Sequence, residues 1–143
     1  MQVFKQAHEP GRTFVTYTSD TFGDGTSTCH PGGDFLYNSN SDLITSVAPA
    51  IEIFDISNPA APVSAGELDL PTRPGLGTES HDITFSDDGS RAYSAALSPG
   101  VIIDTRNPAE PAIVSSFLDP TINVWHQMDP FTMTDAGGRR RES

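Results

Sequence analysis

Three histidines in this 143-residue chain stand at near-regular intervals, His30, His81 and His126, separated by 51 and 45 residues. Imidazoles gathered from distant stretches of a chain suit Zn, Cu or Fe, and a neighbouring carboxylate such as Asp82 can orient a ring or join it as a ligand. One reading of the pattern is a transition-metal site made of His30, His81, His126 and Asp82. A second reading fits the same residues. His81 shares strand parity with Ile83 and Phe85, and His126 with Val124 and Met128, which equally suits hydrogen-bonded histidines packed on apolar faces. His8, close to the N-terminus in a stretch that reads as disordered, is assigned no role.

The other reactive groups are less suggestive. Cys29 adjoins His30, but no orienting or oxyanion motif accompanies it, so a small buried residue is expected, or at most an extra soft ligand. Asn38-Ser39-Asn40-Ser41-Asp42 opens like a calcium loop, yet Leu43 stands where that loop needs Gly and Pro49 where it needs Glu. A plain polar loop is expected there. Gly23-Asp24-Gly25 and Gly32-Gly33 fall in turns outside any strand–loop–helix context, so neither is a phosphate cradle. No nucleophile elbow and no His-Glu-x-x-His helix occurs. No catalytic residue is therefore predicted.

Composition excludes further classes. Nineteen acidic residues against 8 basic give a net charge of −11, the wrong sign for a nucleic-acid backbone. No apolar run approaches the length of a membrane-spanning helix. A single cysteine rules out an intrachain disulfide framework and a four-thiolate zinc site. The first residues lack the apolar core of a secretory signal.

The elements that must position the histidines are strands. With 12 Gly and 12 Pro, the chain is divided into short β-type runs between turn residues, and no window carries a capped helical period. The runs are 13–18, 35–37, 51–56, 81–86, 91–96, 101–104, 112–118 and 123–126. The class is all-β. Asp55-Ile56-Ser57-Asn58-Pro59-Ala60-Ala61-Pro62 returns 49 residues later as Asp104-Thr105-Arg106-Asn107-Pro108-Ala109-Glu110-Pro111, an internal repeat. Asp55 and Asp104 are expected to accept backbone N–H bonds at strand ends. The prolines that follow fix φ and withhold N–H groups, so the motif reads as a rigid corner between strands. Four antiparallel strands per repeat fit one propeller blade. The expected organisation is a leading segment over 1–28, a blade over 29–70, a connection over 71–80, a blade over 81–118, the start of another over 119–136 and a flexible tail over 137–143. Pro71–Glu79 is the connection between the two clear units and the first candidate contact surface.

Ile51 to Val63, with its looser copy at Val101 to Ala112, resembles the repeat of the LVIVD-repeat β-propeller family: an apolar strand, Asp, then Asn-Pro-x-x-Pro. The resemblance covers roughly residues 35–128. It implies an incomplete β-propeller built from four-stranded antiparallel blades, often exported or surface-associated, and no catalytic residues to carry over. Two clear blades cannot close a ring, so remaining blades or self-association are expected to cover the open edges. The expected function is a non-catalytic interaction scaffold, part of a larger exported protein, with an unknown protein or small-molecule ligand as partner. The alternative is a metal-dependent oxidoreductase or hydrolase with a histidine-lined site at the channel mouth.

Overall fold

The computed structural model describes residues 2–6, 14–18, 26–41, 49–71, 79–96, 99–122 and 124–142. Among them every regular element is a strand: β1 Gln2–Gln6, β2 Phe14–Thr18, β3 Ser27–Cys29, β4 Phe35–Ser39, β5 Ile51–Asp55, β6 Val63–Leu68, β7 Asp82–Phe85, β8 Arg91–Ala95, β9 Gly100–Asp104, β10 Ala112–Phe117, β11 Thr132–Thr134 and β12 Arg140–Glu142. Two four-stranded antiparallel sheets, β3-β4-β5-β6 and β7-β8-β9-β10, each follow the chain strand by strand. β1 pairs with β2 and β11 with β12 as separate two-stranded sheets.

The two large sheets match in detail. In the first, the His30 N–H donates to Phe35 O (2.9 Å) and the Gly33 N–H to His30 O (2.8 Å). In the second, the Ser86 N–H donates to Arg91 O (2.9 Å) and the Gly89 N–H to Ser86 O (2.9 Å). Gly33 and Gly89 hold φ of 86° and 70°, the left-handed region these turns require. The outer strands also share a one-residue bulge. The register skips Ala65 in the β5–β6 pair and Val114 in the β8-flanking β9–β10 pair, which bends each outer strand at the same place.

The Pro-rich corners are equivalent as well. Asp55 Oδ1 accepts the Ser57 N–H (2.9 Å) and Asp104 Oδ1 the Arg106 N–H (3.1 Å). One residue pair later, Asn58 O accepts the Ala61 N–H (2.9 Å) and Asn107 O the Glu110 N–H (3.1 Å). The repeated aspartates thus take the turn-capping role expected of them.

Alternation places the core. Ile51 and Ile53 of β5 and Val101 and Ile103 of β9 are buried while the residues between them are not. They gather with Tyr37, Ala50, Leu70, Ile83, Ala92 and Ala96, joining the two sheets through one apolar interior. β7 lies against β3 and β4, and the Tyr37 and Phe85 rings meet edge-on at 5.2 Å.

Several expectations are corrected. β3 was not foreseen, because Ser-Thr-Cys is short and polar, and it starts at Ser27, ahead of the boundary drawn at residue 29. The N-terminal stretch contributes β1, and the expected flexible tail contributes β12, whose hairpin turn is capped by Asp135 Oδ1 accepting the Gly137 N–H (2.9 Å). No strand forms across the described part of 123–126, where only Trp125 makes a bridge. Asn38 to Ser41 is not an exposed polar loop: Asn38 and Ser39 belong to β4, and all four residues are buried. His8, Gly23 to Gly25, and residues 72–78 of the expected contact connection lie outside the described residues.

Candidate functional site

The antiparallel meander sends the starts of β3, β5, β7 and β9 to one end of the sheets and the Pro-rich corners to the other. Three segments pack side by side along the inner edge. Thr26 Oγ1 donates to Asp82 Oδ1 (2.8 Å) and Thr28 Oγ1 to Ile83 O (3.0 Å), tying β3 to β7. Thr84 Oγ1 in turn donates to Asp129 Oδ1 (3.0 Å), tying β7 to the segment that follows Val124.

This arrangement separates His30 from the other two histidines. His30 follows β3, whereas His81 precedes β7, so the two stand at opposite ends of neighbouring inner strands. The run from His81 to Ser86 covers about 16 Å at the usual rise per residue. The reason is loop length. Turn His30–Gly33 recurs 56 residues later as Ser86–Gly89, while the Pro-rich corner recurs after 49, because β4–β5 is connected by a longer stretch than β8–β9. The structural counterpart of His30 is Ser86, and the near-regular histidine spacing does not mark equivalent positions.

His30 is a packed histidine. Its Nε2 lies 2.9 Å from Gly89 O and its Nδ1 accepts the Gly32 N–H (3.0 Å), so the Nε2–H tautomer serves both bonds. Its ring also meets Phe85 edge-on at 5.2 Å. Nε2 clamps the first sheet to the second, while Nδ1 braces the turn of its own sheet.

His81 and His126 do converge. Their ring centroids are 4.3 Å apart with planes at 61°. The main chain fixes His81 firmly: its N–H donates to Ala95 O (2.9 Å) and its carbonyl accepts the Thr26 N–H (3.0 Å). The His81 ring is half-buried with Nδ1 3.4 Å from Ser41 Oγ, and His126 is exposed. Asp82 does not orient either ring as expected, since its Oδ1 takes the Thr26 hydroxyl. Among the described residues no group of three or more His, Cys, Asp or Glu side chains is gathered as a metal cage.

Cys29 is exposed rather than buried as expected, at the edge of its sheet. Desolvation by its surroundings nevertheless raises the thiol pKa, which lowers the thiolate fraction and makes it a poor nucleophile at neutral pH.

Beside the histidine pair lies a buried polar network that the sequence pattern did not reveal. Ser80 Oγ bridges Ser39 Oγ (3.0 Å) and Ser94 Oγ (2.8 Å), all three fully buried. Asn38 Nδ2 donates to Asn40 Oδ1 and Glu52 Oε2 (both 3.1 Å), and Asn38 Oδ1 accepts the Ser27 hydroxyl (2.7 Å). Asn40 Nδ2 donates to Pro49 O (2.9 Å), and Asn40 O accepts the Ser80 N–H (2.9 Å). The only available signal was the density of Asn and Ser directly after the apolar start of β4. Committed to one another in this way, these side chains orient the strand ends rather than a calcium ion.

No family model matches the chain, and no curated protein does. The fold is similar to that of a crystal structure from Bacteroides fragilis described as a putative 6-phosphogluconolactonase, with a TM-score of 0.54 and 15% identity over 78% of this chain and 31% of that chain. The chain therefore spans about a third of the length of that protein. The neighbour has a β-propeller-like lactonase fold, and at this identity the likeness is one of fold alone.

Proposed function

We propose that the two four-stranded sheets are adjacent blades of an incomplete β-propeller of the LVIVD-repeat kind, acting as a non-catalytic interaction scaffold. The observation that carries this reading is the way one sheet receives the corner of the next. Tyr37 Oη donates to Pro108 O (2.5 Å), and Ala109 O sits 3.0 Å from where a Cβ on Gly66 would stand. The outer strand of the first sheet is thus half covered by the Asn-Pro-x-x-Pro corner of the second. The matching strand β10 is exposed along its whole length, and it carries Ile113, Val114 and Phe117, with Leu118 directly after it. An uncovered apolar strand of this kind favours association. A further blade, on a longer chain or on a partner, would place its own corner there.

The neighbour's lactonase activity is not carried over. Among the described residues from 26 to 122 the Lys and Arg side chains are Arg91 and Arg106, and both are paired with Asp104, at 3.3 and 2.6 Å. The family resemblance also supports an exported or surface-associated setting, with function residing in the rim loops.

The test is the mass of the purified chain by light scattering across a concentration series, compared with Val114→Lys. Concentration-dependent association that Val114→Lys suppresses is the expected result. A chain that stays monomeric at every concentration, with no binding of an apolar dye that the substitution abolishes, would overturn the reading.

A further inference from the structure

We infer that His81 and His126 form a two-imidazole site for a borderline divalent transition cation such as Zn²⁺, Cu²⁺ or Ni²⁺, with water filling the remaining positions. The inference concerns binding, assigns no reaction, and is independent of the scaffold reading. It starts from a contrast among the described histidines. His30 has both ring nitrogens hydrogen-bonded, to Gly89 O and from the Gly32 N–H. His81 has Nδ1 near Ser41 Oγ, at a long 3.4 Å, and no described residue bonds its Nε2. For His126 neither nitrogen has a hydrogen-bond partner among the described residues. The two imidazoles with uncommitted nitrogens are the two whose rings meet, at 4.3 Å.

Their mounting suits a shared ligand. His81 is pinned through its backbone to Ala95 and Thr26, so one donor is placed by the sheet. His126 is exposed on a segment anchored three residues later by Asp129 to Thr84, so its ring can turn while its backbone stays near. A metal needs the two nitrogens to converge to about 2.0–2.1 Å from one point, and rings already in contact reach this by side-chain rotation. Ser41 Oγ is placed to hold Nδ1 of His81, the outer contact that orients a ligating imidazole and leaves Nε2 for the ion. A chain of net charge −11 draws cations toward its surface. Imidazole, rather than hard oxygen, selects the borderline ions named here over Mg²⁺ or Ca²⁺.

The experiment is calorimetric titration of the metal-free full chain with Zn²⁺ alone, against His81→Gln, His126→Gln and the control Cys29→Ser. One ion per chain is expected. Each histidine substitution should weaken binding by about tenfold or more, since even outer partners of a ligand cost that much, and Cys29→Ser should leave binding unchanged. Affinity untouched in the doubly substituted chain, or lost in Cys29→Ser, would overturn the assignment. A measurement on the unsubstituted chain guards against misfolded variants. Added Ni²⁺ should shift or broaden the NMR signals of the His81 and His126 rings before that of His30. Equal effects on all three, or none, would equally reject it.

Discussion

The phenol of Tyr37 donates to the carbonyl of Pro108, 71 residues further along the chain, at 2.5 Å. Tyr37 is fully buried in β4, and Pro108 belongs to the Pro-rich corner of the following sheet. The bond therefore joins two repeats through the motif that defines them. Burial raises the phenol pKa far above its ordinary value, so the hydroxyl keeps its proton and remains a donor. Tyr37→Phe removes the donor while keeping the ring against Phe85. It should cost about 1–2 kcal/mol, one hydrogen bond and a carbonyl left unpaired. Equilibrium unfolding in urea with an unchanged slope would measure it.

Gly89 holds φ at 70°, and a Cβ there would lie 2.7 Å from the His30 ring. Gly89→Ala should lose about 1–2 kcal/mol from the left-handed backbone alone, and more from displacing the imidazole that bonds Gly89 O. Combining it with His30→Ala separates the two effects. The double variant should lose clearly less than the sum of the single losses, because the second substitution removes the clash.

Asp104 accepts the Arg106 side chain and N–H and lies 3.3 Å from Arg91. The Arg106 side-chain bond, its backbone N–H and the nearby guanidinium charges bring the carboxyl pKa from 3.8 down to about 2. A folded-state pKa below the unfolded one means that the unfolded chain binds the proton first. The contribution is present above about pH 4 and fades as pH falls toward 2. A carboxyl NMR titration should place the Asp104 midpoint near 2, and Arg106→Ala should move it upward. The acid-induced loss of stability should be shallower in Asp104→Asn.

Ser80 stands between Ser39 and Ser94 with no water-exposed surface. Ser80→Ala deletes one oxygen but deprives two buried hydroxyls of a partner. The expected loss is about 1–3 kcal/mol, larger than for an exposed serine. Replacing all three serines by alanine should recover part of it in thermal unfolding, because no hydroxyl is then left unpaired.

Much of the architecture could be read directly. Gly and Pro punctuation located the strands of both sheets apart from β3 and β6, and the Asp-x-x-Asn-Pro-x-x-Pro repeat marked two corners whose hydrogen bonds match. These features are local: alternation, turn chemistry and proline's fixed φ act over a few residues, wherever the chain goes next. The candidate site was legible only in part. The histidine spacing suggested three equivalent imidazoles, and the fold brought together two.

The composition and order of residues alone determined that the chain forms strands, that it repeats, and that His81 and His126 stand near the starts of inner segments. Tertiary structure decided the rest. It set the 56-residue offset of the inner turns against the 49-residue offset of the corners, placed His30 at the far end, and buried Asn38 to Ser41 in a network with Ser80 and Ser94. The physical reason is that loop closure costs little more as a loop lengthens. Connections between strands can therefore differ by several residues without disturbing the sheets, and distance along the chain stops reporting position around them.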